Sequence, residues 1–385
     1  MGARVDVESA GPIPLLDLAR QHLHLGEELT AAVRRVAESQ SFVLGAAVEE
    51  FEAAIAHYLG VGHAIGVASG TDALYLCMRL LDLRDGDEVI TSPFTFFATA
   101  GAIANAGGRV VFADIDPLTF NLDPRCVADV ISERTRAILP VHLFGQMVEL
   151  QPLLDLADQR GLWIIEDAAQ SMGAKALVGG SWRAGGTVGT LGCFSFYPTK
   201  NLGGWGDGGL ITTNDPDLAE RLRRLRVHGE DPGLGRYVHG EVGVNSRLDA
   251  IQAAVLSVKL RHLPGWTELR RARAAEYDRR LDVLAEVTTP VAQPDRFHVY
   301  NLYTIRAQRR TALRDHLTKR NIGSGVYYPL PLHRQPCFRG LGYEAGQFPQ
   351  AERAAEEVLS LPLFPELTAA EQGRVVETIQ GFYGG

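Results

Sequence analysis

Apolar residues recur along this chain in two rhythms that take turns. From 21 to 38 the apolar positions Leu25, Leu29, Val33 and Val36 fall at helical spacing, and a second amphipathic stretch covers 47–59. Short apolar runs then alternate with helical patterns. Segments 63–68, 88–91, 109–114, 137–143 and 162–165 read as strands, and 72–81, 96–106, 123–131 and 150–160 as helices. Strands joined through helices of roughly 10–15 residues need crossover connections and pair in parallel. One more apolar strand, 193–197, runs into the glycine-rich stretch GGTVGTLGCFSFYPTKNLGGWGDGG at 185–209.

Beyond this point a basic helix is expected over 215–226, a glycine-rich loop over 229–240 and a strong helix over 246–260. That helix carries Leu248, Ile251, Val255 and Val258 on one face. A charged helix over 267–284 leads to a different pattern: a strand at 298–305, a helix at 310–320, a strand at 325–328 and two closing helices. The expected organisation is an N-terminal arm (13–19) and a large α/β domain over 1–260, then a linker helix and a smaller α+β domain over 261–385. In such sheets the ligand lies at the carboxyl ends of the strands. Segments 69–72, 91–96, 142–146, 166–170 and the loop holding Lys200 all follow strands, so five loops converge on one edge.

Bulk properties narrow the classes. A net charge of −8 and a pI near 5.8 over 385 residues argue against general nucleic-acid binding and for a cytoplasmic enzyme. An anionic substrate must then be met by local cations and helix N-termini. The four cysteines form no CxxC pair and show no zinc spacing with histidine, so no metal is expected. Cys77 and Cys126 fall on apolar sides of helical patterns and read as buried thiols of a reducing compartment. The first residues lack the apolar core of a signal peptide, and Asp6 occupies the place where a myristoylation signal wants Ser or Thr. The uncharged run 89–108 contains Pro93, Asn105 and several hydroxyls, and reads as strand–loop–helix rather than a membrane span.

The candidate chemistry sits on the converging edge. Lys200, alone, is open to three readings: a surface charge, a phosphate contact or a covalent amine. Asp167 ends an apolar strand and reads either as a helix cap or as a carboxylate paired with that lysine. A lysine that holds an aldehyde and a carboxylate that keeps a pyridine nitrogen protonated are what pyridoxal phosphate chemistry requires. Ser69, Gly70, Thr71 and Asp72 follow a strand and open a helix, where free N–H groups favour an anion. Ser195 adds a hydroxyl, and Phe94, Phe96 and Phe97 form an aromatic cluster that is either core or a stacking surface. Arg226, His228, Arg236 and His239 flank the loop at 229–240 and could meet a diphosphate.

These motifs resemble the DegT/DnrJ/EryC1/StrS family of sugar aminotransferases, within the aspartate aminotransferase fold type (fold type I). The resemblance runs in order through SGTDAL at 69–74, SPFTFFATA at 92–100, DIDPLTFNLDP at 114–124, PVHLFGQ at 140–146 and IEDAAQSMGA at 165–174. It continues through GCFSFYPTKNLGGWGDGG at 192–209, LRVHG at 225–229, GVNSRLDAIQAAVL at 243–256, YYPLPLHRQPCF at 327–338 and LSLPLFPEL at 359–367. It implies pyridoxal 5'-phosphate as cofactor, Lys200 as Schiff-base lysine and acid/base, and Asp167 as partner of the pyridinium. It implies Gln170 on the phenolic oxygen, Gly70, Thr71 and Ser195 on the phosphate, and Phe96 stacked on the ring. Asn245 would reach the phosphate of a neighbouring subunit, which implies a homodimer with shared sites. The substrates implied are a keto-sugar nucleotide, with a 3-oxo or 4-oxo hexose, and glutamate or glutamine as donor. Arg247, Tyr327 and His333 are the candidates for substrate contact. Keto-cyclitol amination and a non-catalytic cofactor-binding regulator are the alternatives. Phe144 stands where Tyr is usual, Thr190 where Asp is common, and Met172 where His or Phe is frequent. Relatives with His at the lysine position are dehydratases, and Lys200 argues against that outcome.

Overall fold

The structure is a computed structural model and describes residues 11–384. The readings made of residues 1–10, on a leader and on Asp6, lie outside these.

Two helices, α1 (Leu18–Ser39) and α2 (Ala46–Leu59), precede the sheet. Then come β1 (His63–Val67), α3 (Gly70–Leu80), β2 (Glu88–Thr91), α4 (Phe97–Asn105), β3 (Arg109–Phe112), α5 (Pro124–Val130), β4 (Thr135–Leu139), α6 (Leu150–Arg160) and β5 (Trp163–Asp167). A hairpin, β6 (Lys175–Val178) and β7 (Ser181–Ala184), leads to β8 (Leu191–Ser195), β9 (Gly209–Thr213), α7 (Pro216–Leu225) and α8 (Ala250–Leu260). The remainder comprises α9 (Leu263–Leu281), β10 (Val287–Thr288), β11 (Arg296–Phe297), β12 (Tyr303–Ala307), α10 (Arg310–Thr318), α11 (Pro349–Glu357), β13 (Val358–Leu361) and α12 (Ala369–Tyr383).

Seven strands form the main sheet in the order β1-β9-β8-β5-β4-β2-β3. Only β9 runs against the rest, pairing antiparallel with β1 and β8. This is the expected α/β class, a mostly parallel sheet flanked by helices. The strand alternation sends successive side chains to opposite layers. Val89, Val110, Ala137, Ile165 and Leu191 pack with α3, α4 and α7, whereas Ile90, Val111, Ile138 and Ile164 pack with α5 and α6. The same alternation puts Asp167 beside α4 and Glu166 on the other layer.

The second core gathers α9, α10 and α12 on the antiparallel sheet β10-β12-β13, together with Ile13 of the arm. The expected boundary at 260/261 falls between α8 and α9. Leu332, Phe338, Phe348 and Ala351, later in the chain, nonetheless pack into the α3–α4 layer of the main sheet. The arm is pinned at Ile13, whose N–H donates to Asn321 and whose carbonyl accepts from Gly323.

Several expected elements differ. The helix expected over 246–260 begins only at Ala250, because Ser246 spends its hydroxyl on Asp72 and accepts the Ala68 N–H. Residues 325–328 form no strand; Gly325 makes a single bridge to Ser360. The strand expected over 298–305 is shifted to Tyr303–Ala307, since His298 and Tyr300 stack flat on each other at 3.8 Å between ring centroids. Cys77 is buried as expected, but Cys126 is only half-buried.

Candidate active site

A cavity of about 670 Å³ opens at the carboxyl ends of β1, β5 and β8. Gly70, Thr71, Phe96, Asp167, Gln170, Ser195, Lys200 and Tyr327 all line it. Leu15 and Leu16 of the arm, Leu302, and Leu361 and Leu363 of the second core complete its wall.

Its floor at α3 is a helix N-terminus with donors left over. The Ser69 hydroxyl accepts the Asp72 N–H at 3.0 Å, and the Ser69 carbonyl accepts that of Ala73. The N–H groups of Gly70 and Thr71 have no intrahelical partner and line the cavity. Ser195 lies against Gly70 so closely that a Cβ there would come within 2.7 Å of the serine Cβ. Glycine is therefore what lets the hydroxyl of Ser195 and the helix N-terminus share one small cradle, sized and polarised for a phosphate.

Asp167 ends β5, and the chain turns there rather than entering a helix. Thr99 donates to its Oδ2 at 2.8 Å, and the Ala169 N–H donates to Oδ1 at 3.2 Å. Thr95 and Thr99 hydroxyls are 3.0 Å apart. Burial nevertheless raises the Asp167 pKa above the ordinary carboxylate value, with the Thr99 and Ala169 donors and the charge of Lys200 only partly offsetting it. Lys200 is pulled the other way: burial lowers its pKa, and the charge of Asp167 opposes this. An amine held below its usual pKa and a carboxylate short of positive charge are fitted to a covalent carbonyl and a cationic ring nitrogen.

Gln170 is held at both ends. The Phe144 N–H donates to its Oε1 at 2.7 Å, and its Nε2 donates to the Tyr328 hydroxyl at 3.2 Å. Phe96 is 56% exposed, lines the cavity and has its ring 6.2 Å from the centroid of Tyr328, a position suited to stacking on a planar ligand. These residues fit the phosphate, ring and aldehyde of pyridoxal phosphate.

Several sequence candidates do not line the cavity. His333 is buried, with Nε2 3.0 Å from Glu352 and its ring against Phe348, so it is a core residue of the later segment. Arg247 is half-buried elsewhere. Asn245 is exposed, outside the cavity of its own chain, and its backbone bridges Val227. Arg226 is no diphosphate ligand either: it is buried on Glu52 at 2.5 Å and on the Gly66 carbonyl. Conversely, Thr99 and Tyr328 escaped the sequence reading. Thr99 sits in a motif already singled out, and Tyr328 is next to a named candidate, but their partners lie 68 and 158 residues away. Among the described residues no group of three or more His, Cys, Asp or Glu is placed to hold a metal ion, and no helix is long and apolar enough to cross a membrane.

Anion cradle, lysine and carboxylate meet at the carboxyl edge of a mostly parallel α/β sheet, an arrangement that fits a bound aldehyde cofactor. Comparison with known proteins names the branch. Residues 24–380 match the DegT/DnrJ/EryC1/StrS aminotransferase family. The chain is 49% identical to a pleiotropic regulatory protein of Geobacillus stearothermophilus, covering 96% of this chain and 98% of that protein. It is 43% identical to dTDP-3-amino-3,4,6-trideoxy-alpha-D-glucose transaminase of Streptomyces venezuelae, covering 96% and 95%. The crystal structure of S. venezuelae DesV in complex with a ketimine intermediate superposes with a TM-score of 0.93 at 42% identity, over 98% of this chain and 100% of the other. The chain belongs to the DegT/DnrJ/EryC1/StrS aminotransferase family.

Proposed function

We propose that this protein transfers the amino group of glutamate or glutamine to a keto-sugar nucleotide in amino-sugar biosynthesis, with pyridoxal 5'-phosphate as cofactor. The observation that carries this is the meeting of Lys200, Asp167 and the free N-terminus of α3 in one cavity. When bound, the cofactor supplies the carbonyl that exchanges amines and the ring that absorbs the electrons released. Gly70, Thr71 and Ser195 would hold the phosphate. Asp167 would keep a proton on the ring nitrogen, whose positive charge would offset the deficit of the buried carboxylate. Lys200, with its lowered pKa, would move a proton at Nζ between the substrate carbon and the cofactor.

The Streptomyces relative is named for a sugar aminated at C3, which supports a 3-oxo acceptor. The exposed Asn245, away from its own cavity, supports a homodimer in which it serves the partner's site. The net charge and four free cysteines support a cytoplasmic enzyme. The Geobacillus relative's name favours a regulator as second reading. Relatives named as sugar transaminases weigh against it, and we place that reading second.

The test is spectroscopic. Purified protein titrated with pyridoxal phosphate should gain a visible band that glutamate bleaches and a 3-oxo-sugar nucleotide restores, and Lys200→Ala should lose both steps. Failure to take up the cofactor would overturn the whole proposal. Uptake and bleaching without restoration by any keto-sugar nucleotide would overturn the acceptor.

A further inference from the structure

The Gln170 amide has a fixed sense. Its oxygen accepts the Phe144 N–H at 2.7 Å, so its NH2 group is the end turned to Tyr328. An amide NH2 only donates. The Tyr328 oxygen is therefore the acceptor in that bond, and its own proton is directed elsewhere. Among the described residues no acceptor takes that proton. Tyr328 lines the cavity, and Gln170, with a second N–H to spare, lines it alongside.

The phenol is held in place. Its ring meets Phe94 edge-on and Phe96 at a tilt, each at 6.2 Å between centroids, and Tyr327 at 5.9 Å. The segment that follows is anchored by the Leu332 N–H on the Pro93 carbonyl at 2.7 Å. Burial pushes the Tyr328 pKa up, with the Gln170 bond only partly opposing, so the group remains a donor across the neutral range.

We propose that Tyr328 is a catalytic residue: its O–H and the second N–H of Gln170 form a paired donor site for a partly negative oxygen of whatever fills the cavity. The inference rests on the cofactor reading above. Two oxygens share the required chemistry, the phenolic oxygen of the cofactor and the carbonyl oxygen of the acceptor sugar. A fixed donor beside an oxygen that gains charge strengthens as the charge grows, and such bonds are worth more than neutral ones.

Tyr328→Phe removes one oxygen atom and keeps the ring. The cofactor-loaded wild type and variant are compared in two arms. In the first, the visible band is titrated with pH without substrates. A shift in its apparent pKa of about one unit places the donor on the cofactor oxygen. In the second, the two half-reactions are followed separately. An unshifted titration with unchanged bleaching by glutamate, but a loss on the order of tenfold in kcat/KM for the keto-sugar nucleotide, places it on the acceptor oxygen. A variant matching wild type in both arms overturns this inference alone. A wild type that never binds the cofactor overturns the functional reading and this inference together.

Discussion

Glu166 and Asp167 are adjacent on β5, both buried, and face opposite layers of the sheet. Glu166 is saturated with donors. Gly186 N–H and His142 Nε2 meet its Oε2 at 2.8 and 2.7 Å, and the N–H groups of Val188 and Gly189 each meet Oε1 at 2.7 Å. His142 accepts the Val148 N–H at Nδ1, which leaves its proton on Nε2, facing the carboxylate. Burial alone would raise the Glu166 pKa; the His142 bond and the backbone donors outweigh it and hold the group below its ordinary value. Asp167 has two donors, and burial wins. One carboxylate is satisfied by the fold and ties β5 to the turn before β8. The other is left in deficit at the cavity wall, and such a deficit is filled by a cation that arrives with a ligand.

The sharpest way to break this comparison is to remove the charge at each position. Asp167→Asn should lower turnover by roughly a hundredfold or more, as expected when a charge that stabilises a reacting centre is lost. The cofactor-free variant should melt no lower than wild type at neutral pH. The sign follows from linkage: a raised folded-state pKa makes wild-type stability fall as pH climbs from the ordinary value of 3.8 through the folded value, a cost Asn does not carry. The gap should close again below pH 3.8, and melting curves of cofactor-free protein across pH check it. A wild type that gains stability across that window relative to the variant would contradict the deficit.

Glu166→Gln should do the reverse. Breaking a buried, donor-saturated pair costs about 3 kcal/mol, measurable by urea unfolding, while turnover per folded molecule stays within a few-fold of wild type. Its pH dependence is of opposite sign: the lowered pKa contributes stability present above the ordinary 4.5 and lost as pH falls through the folded value. Equal loss of turnover in the two variants would erase the distinction. The smallest effect is expected of Thr99→Val. It removes one of two donors from Asp167, should raise that pKa further, and should lower kcat by about threefold to tenfold. A pH–rate profile that does not move would show Thr99 to be packing alone.

The sequence made the layered sheet legible because β1 to β5 and β8 are apolar runs punctuated by turns. It hid β9, whose residues Gly209–Thr213 merge with the glycines of the Lys200 loop, and β13, which follows an acidic helix without a break. The backward extension of the 246–260 helix failed because Leu248 keeps the apolar period while Ser246 bonds across the chain. Eight site residues fell in family motifs and meet at one cavity. His333 misled for a physical reason: a histidine in a proline-rich loop looks available, and only the fold shows Glu352 and Phe348 closing on it. Thr99 and Tyr328 act through partners far away in sequence, where local pattern carries no information.

The arm around Ile13 also dictates when the site can form. Its N–H and carbonyl are satisfied by Asn321 and Gly323, and the Leu15 carbonyl accepts the Leu363 N–H at 3.3 Å. During synthesis Ile13 and Leu15 lack these partners until residues 321–363 have emerged. The wall made by Leu15 and Leu16 closes only after the last strand has been made. These are contacts of very long sequence separation, the kind that form late. Ligand capture with a closed wall therefore needs residues through Leu363, and a chain cut short before them would display the lysine and cradle without that enclosure.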